Sequence, residues 1–264
     1  IGQVHRARLK SGERVAVKVQ YPGIADTIES DLNGISLLGR LAKLILRGPD
    51  SQAIVQEIRE HLVQECDYRL EAANQAQFRD FFKDHPVVVV PRVYPEFSSG
   101  RVLVSDYHEG LTIEAFAEKC TQGERNRIGE AVWDYFNIPR HRYGFFNCDP
   151  HTGNFIVAGD RLVCLDFGAI KRMSESYRNY QREQNLGIIQ QDRDSLRKGI
   201  EGMGMIIHPE SFNFEAHFHF LGIVGRPFHP PQPFRYTEEY RQALWHAVQT
   251  NPNRDNTSLP REEV

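Results

Sequence analysis

At 264 residues, with 40% hydrophobic and 25% charged side chains, the chain is long enough to bury a core as one large domain or two lobes without covalent staples. Basic and acidic residues nearly balance, 32 against 35 for a net charge of −3, with no block of like charges, which argues against nucleic acid as the main partner. Cys66, Cys120, Cys148 and Cys164 form no C-x-x-C pair, so neither a zinc site nor a disulfide framework is indicated and a reducing compartment fits.

Val4 to Leu9 and Arg14 to Gln20 are β-prone runs joined by a turn at Ser11-Gly12, which predicts an antiparallel hairpin. The second run carries Val15-Ala16-Val17-Lys18. A lysine in an otherwise apolar strand has to place its ammonium where desolvation is compensated, and nucleotide phosphates do this; the plain alternative is an alternating strand with Lys18 in water. Ile24 to Leu46 reads as a helix in which Leu32, Ile35, Leu38, Leu41, Leu44 and Ile45 form an apolar stripe. Such a face packs on a core, and a membrane-surface or partner-binding role is the sharper alternative. A second helical stretch starts after Ser51, a residue suited to an N-cap, and runs to about Phe82. In it Asp67 and Glu71, four apart, are expected on one face, with Glu65 turned toward Arg69, and a glutamate of this helix would pair with Lys18; solvated carboxylates are the plain alternative.

Val87 to Val90 and Arg101 to Tyr107 read as two further strands that complete a small sheet around Lys18, and an apolar run this short is far below the ~20 residues a bilayer span needs. Ser105 to Gly110 is the expected hinge, lining an adenine with the backbone of Asp106 and Tyr107. From Thr112 the chain turns helical through Ile128, Val132 and Phe136, and Pro139 ends that helix.

Asn147 to Gly168, NCDPHTGNFIVAGDRLVCLDFG, concentrates oxygen-bearing side chains at two places. Asn154 follows Asp149 by five positions and Asp166 follows Asn154 by twelve. Between them Phe155-Ile156-Val157 and Leu162 to Leu165 flank Gly159-Asp160, a two-residue turn, so a hairpin brings Asp166 back beside Asn154. This is the spacing of a kinase-type catalytic and metal-binding loop: one carboxylate and one amide oxygen suffice for Mg²⁺ with nucleotide phosphates, while Asp149 stands apart to take a proton or orient a water. Asp-Phe-Gly alone is common and Asp before Pro is an ordinary turn former, so the reading rests on the combination. After Gly168 no Ala-Pro-Glu follows, and a helix starts near Ser174, so the segment that docks peptide substrates is missing. The remainder reads as helical around a Pro227 to Pro233 loop. His217 and His219, two apart, do not share a helix face and read as ordinary side chains.

The stretches IGQVHRARLKSGERVAVKVQYPGI, ECDYRLEAANQAQF, GFFNCDPHTGNFIV and CLDFGAI together resemble the UbiB/AarF family of atypical kinases, which supports ubiquinone and other prenyl-lipid biosynthesis. The resemblance implies an α+β, protein-kinase-like two-lobed fold. Its N-terminal lobe, 1–108, would hold a small antiparallel sheet with helices, and its C-terminal lobe, 109–264, would be mainly helical. It implies that Lys18 meets the nucleotide phosphates and shares the catalytic role with Asp149. Glu71 would pair with Lys18, and Glu65 and Asp67 would form the acidic E-x-D motif. Gly2, Asp106 and Tyr107 would border the nucleotide, and Asn154 and Asp166 would be the metal ligands. ATP or ADP and Mg²⁺ are the implied cofactors, and ATP hydrolysis or phosphoryl transfer the implied activity. Prenyl lipids or lipid-biosynthetic enzymes are the implied partners, with peripheral membrane contact and no nucleic acid. A cytoplasmic place is expected, or a mitochondrial matrix or plastid one in a eukaryote. Two alternatives stay open: a non-catalytic nucleotide-sensing scaffold for lipid-biosynthetic enzymes, and a small-molecule phosphotransferase of the aminoglycoside or choline kinase type, which shares D-x4-N. The family's alanine-rich loop and K-x-G-Q segment would precede Ile1 and its final helices would follow Val264, so both ends are expected to be truncated; Cys148 stands where many relatives carry alanine or threonine.

Overall fold

The computed structural model describes residues 2–24, 27, 66–230 and 233–257. The expected stripe from Leu32 to Ile45, the cap at Ser51 and Glu65 lie outside the described residues.

Strand β1 (Gly2–Arg8) pairs antiparallel with β2 (Arg14–Gln20), and the turn between them is closed by Gly12, whose φ of +108° suits glycine. On its other side β2 pairs with β4 (Val102–Asp106), with Lys18 opposite Leu103, giving a three-stranded sheet of order β1-β2-β4. Val15, fully buried against Tyr94 and Val104, seals its apolar side.

Helix α1 (Tyr68–Phe81) buries Tyr68, Glu71, Asn74, Gln75 and Phe78, the residues that a period of 3.6 places on one face. Asp67 does not share that face. It is the N-cap, and its carboxylate accepts the Arg69 N–H at 3.0 Å, because a carboxylate just before the first turn satisfies an otherwise orphaned amide.

The small sheet around Lys18 is completed by β4 alone. Strand β3 (Val88–Val89) instead pairs in parallel with β8 (Arg161–Cys164), which pairs with β7 (Phe155–Ala158), which pairs with β5 (Leu111–Thr112). Val87 to Val90 is continuously apolar rather than alternating, the pattern of a strand covered on both faces, and Val87, Val88 and Val90 lie in the main core. Helix α2 (Ile113–Ala117) follows β5. Helix α3 (Gln122–Ile138) opens with a capping box formed by Thr121 and Glu124; Pro139, expected to end it, instead begins a π-helical turn over Pro139–Tyr143 that closes at Gly144. After β6 (Phe145–Asn147), the β7–β8 hairpin turns at Gly159, with φ of +64°. The main core gathers Phe78, Phe82, Val88, Tyr135, Phe155, Leu162 and Phe167.

The chain divides into two compact units, Ile1–Lys171 and Arg172–Val264, and the expected boundary at 108 falls inside the first. The second unit is helical. Helix α4 (Glu175–Gln190), capped by Ser174, lies against α5 (Arg193–Gly202) where Gly199 and Gly202 admit Gln184 and Tyr180; α6 (Phe214–Val224) and α7 (Glu238–Thr250) follow. His217 is buried and His219 exposed, so the two do point apart. The fold is mixed α+β, with a small antiparallel sheet and helices.

Candidate active site

Lys18 leaves β2 toward α1. Its ammonium donates to both carboxylate oxygens of Glu71, at 2.7 and 2.8 Å, and to Asp166 Oδ2 at 3.3 Å, with the Tyr68 ring 5.1 Å away. The strand, the helix and the end of the β7–β8 hairpin thus converge on one cation. Burial works to lower the Lys18 pKa, but the Glu71 and Asp166 carboxylates outweigh it and the net shift is upward. For Glu71, 3% exposed, burial pushes the carboxyl up and Lys18 pulls it back.

The hairpin does what its sequence predicts. Leu165 N–H donates to the Asn154 carbonyl at 2.9 Å, which brings the next residue, Asp166, back to the loop of Asp149 and Asn154. Asn154 Nδ2 donates to Asp149 Oδ2 at 2.8 Å, leaving its side-chain oxygen for another partner, and the His151 N–H reaches Asp149 Oδ1 at 3.3 Å. His151 Nδ1 accepts the Gly153 N–H at 3.0 Å, and Thr152 Oγ1 donates to Glu114 at 2.5 Å, a bond that holds the Glu114 carboxyl below its ordinary value. Among the described residues no three His, Cys, Asp or Glu side chains gather as a metal cage. The donor set of Asn154 and Asp166, a neutral amide oxygen and a carboxylate, suits a hard ion that keeps waters and phosphate oxygens, as Mg²⁺ does.

The other expected contacts fall at different depths. Gly2 starts β1 opposite Gln20, where a Cβ would strike the Val19 carbonyl and the Tyr68 hydroxyl, so its smallness serves the close approach of β1 to the ring beside Lys18. The Asp106 carboxylate takes the Tyr94 hydroxyl at 2.9 Å and the Arg92 N–H at 3.1 Å, while its own N–H donates to the Arg92 carbonyl at 2.9 Å. The Tyr107 N–H donates to the Arg14 carbonyl at 3.1 Å, and its ring lies near Arg6 and Arg14. Both amides of the expected hinge are therefore engaged within the sheet. Two residues not singled out from the sequence belong to the site: Asn74 and Asn147, whose side chains hold the backbone of Phe167 and Asp166.

A family model described as the ABC1 atypical kinase-like domain matches residues 1–200. Protein ACTIVITY OF BC1 COMPLEX KINASE 8, chloroplastic, of Arabidopsis thaliana is 34% identical over 216 residues, 78% of this chain and 28% of that protein. Atypical kinase COQ8, mitochondrial, of Saccharomyces cerevisiae is 31% identical over 231 residues, 86% of this chain and 46% of that protein. The chain spans less than half the length of these curated relatives. Among solved structures, the complex of Rv3197 with erythromycin from Mycobacterium tuberculosis superposes with a TM-score of 0.79 at 30% identity, covering 98% of this chain and 66% of that one. No helix among the described residues is long and apolar enough to cross a membrane.

Proposed function

The chain belongs to the ABC1 atypical kinase-like family, and from that premise we propose that it binds ATP or ADP with Mg²⁺ and works as an ATPase or phosphotransferase of the UbiB type. The observation that carries this reading is the Lys18 ammonium seated between Glu71 and Asp166. A cation so aimed neutralises phosphate oxygens, and Glu71 fixes its direction. Asn154 and Asp166 would hold the Mg²⁺, which when bound supplies further charge neutralisation on the phosphates. Asp149, oriented by Asn154 Nδ2 and the His151 N–H, takes the proton of an attacking hydroxyl or orients a water. A small or lipid-related acceptor, in support of ubiquinone or other prenyl-lipid metabolism, fits the family. A mitochondrial or plastid place fits the names of the relatives.

The test is MgATP turnover and ADP binding by the full-length protein. Asp149→Asn is expected to lower turnover on the order of 10²-fold while sparing ADP binding, and Asp166→Ala to remove the Mg²⁺ dependence of binding. Equal turnover in wild type and Asp149→Asn would take Asp149 out of the chemistry. That result would favour a second reading, a non-catalytic nucleotide sensor, which draws on both Asp149 oxygens already accepting internal hydrogen bonds.

A further inference from the structure

Two consecutive carbonyl oxygens, those of Asp166 and Phe167, are each gripped by a buried amide side chain arriving from a different part of the fold. Asn147, 3% exposed at the end of β6, donates from Nδ2 to the Asp166 carbonyl at 3.1 Å and to the Tyr135 hydroxyl at 2.8 Å, while its Oδ1 accepts the Asp149 N–H at 2.9 Å. Asn74, 7% exposed and three residues beyond Glu71 on the same face of α1, donates to the Phe167 carbonyl at 3.0 Å. The Phe167 ring is fully buried, 5.4 Å from Phe78 and 6.3 Å from Tyr135. In such apolar surroundings an unpaired carbonyl is costly, so rotating either of these two adjoining peptides away from its amide is disfavoured. The Asp166 carboxylate is carried by the residue whose carbonyl Asn147 holds: Oδ1 accepts the Gly168 N–H at 2.9 Å and Oδ2 faces Lys18.

We propose that Asn74 and Asn147 form a two-sided clamp on the Asp166–Phe167 backbone that sets the Asp166 carboxylate opposite Lys18 independently of nucleotide, and that both are positioning residues for the Mg²⁺-bound ligand. One helix holds Lys18 through Glu71 and the Phe167 carbonyl through Asn74. One side chain, Asn147, spaces Asp149 from Asp166. Neither asparagine touches the reacting atoms; they act through Asp166. The ligand half of the inference rests on the nucleotide reading above, whereas the clamp itself does not.

The experiment takes the full-length protein with Asn74→Leu, Asn147→Leu and the pair, and follows amide hydrogen exchange without nucleotide together with Mg²⁺ titrations of ADP binding. Each leucine variant is expected to speed exchange at Gly168 about tenfold while leaving the β8 amides of Leu162 and Val163 unchanged. Each is expected to raise the Mg²⁺ needed for half-maximal ADP binding about tenfold, with ADP binding in the absence of Mg²⁺ unaltered. The double variant should fall short of the product of the singles, because the two amides hold adjoining peptides joined at the Phe167 Cα. Where a leucine variant does not fold, Asn74→Ser or Asn147→Ser, which keep a polar group but shorten its reach, take its place. Wild-type exchange at Gly168 in folded variants, or exchange rising equally across Gly168 and β8, overturns the clamp. If the wild type binds no nucleotide, the functional reading fails and the exchange data still decide the clamp.

Discussion

Two carboxylates face the half-buried Lys18 ammonium and offset the cost of its burial, so its removal is felt first as an uncompensated Glu71. Lys18→Met is expected to destabilise the protein by roughly 3 kcal/mol, and the double change with Glu71→Leu to recover most of that in urea melts while leaving ADP binding lost. His217 behaves in the opposite sense. It is 6% exposed, packs 5.5 Å from Phe212, and its Nε2 has no hydrogen-bond partner among the described residues, so burial lowers its pKa to about 4. A histidine neutral when folded but protonated when unfolded contributes stability that is fully present above the ordinary value near 6.5 and is lost as pH falls toward 4. Wild type should therefore lose on the order of 2–3 kcal/mol from this group between pH 7 and pH 4, and His217→Leu should flatten that slope in thermal melts. At this scale the ion-pair residues were readable only in combination: a lysine in an apolar strand, a glutamate on a helix and Asp-Phe-Gly each have an ordinary alternative, and together they point to one site. Asn74 and Asn147 were not, since an amide takes its meaning from whichever carbonyl the fold brings to it. Asp67 was misplaced by one cap position: its four-residue spacing from Glu71 held, but the helix starts after it.

Elements with local signals were legible. The β1–β2 hairpin, the β7–β8 hairpin with its Gly159 turn and the Ser174 start of α4 all follow from turn and cap residues. The partner of β3 was not, because a two-residue ladder is chosen by packing rather than by its own sequence. Gly110 is another position fixed by a neighbour. A Cβ there would stand 2.5 Å from the Val157 carbonyl, just before the Leu111↔Val157 pairing of β5 with β7. Gly110→Ala is expected to cost about 1–3 kcal/mol in denaturant melts, whereas Gly123→Ala, at an open helical position where nothing lies within 4 Å of the added atom, should not.

For the molecule as a whole, both oxygen donors and the lysine lie within Ile1–Lys171, the unit that also contains the main core. The parallel pairing of Val88 and Val89 with Leu162 and Val163 stitches the early half of this unit to a hairpin made much later in the chain. A polypeptide released after residue 108 would carry Lys18 and Glu71 yet present two bare valines and an ungripped Asn74. Such a fragment is expected to aggregate and to give no cooperative melt, while one ending at Lys171 should stay monomeric by light scattering. During synthesis the same thread imposes a wait: the strand after α1 has nothing to zip onto until Leu162 and Val163 have left the ribosome, so the lysine's pocket closes only late in translation.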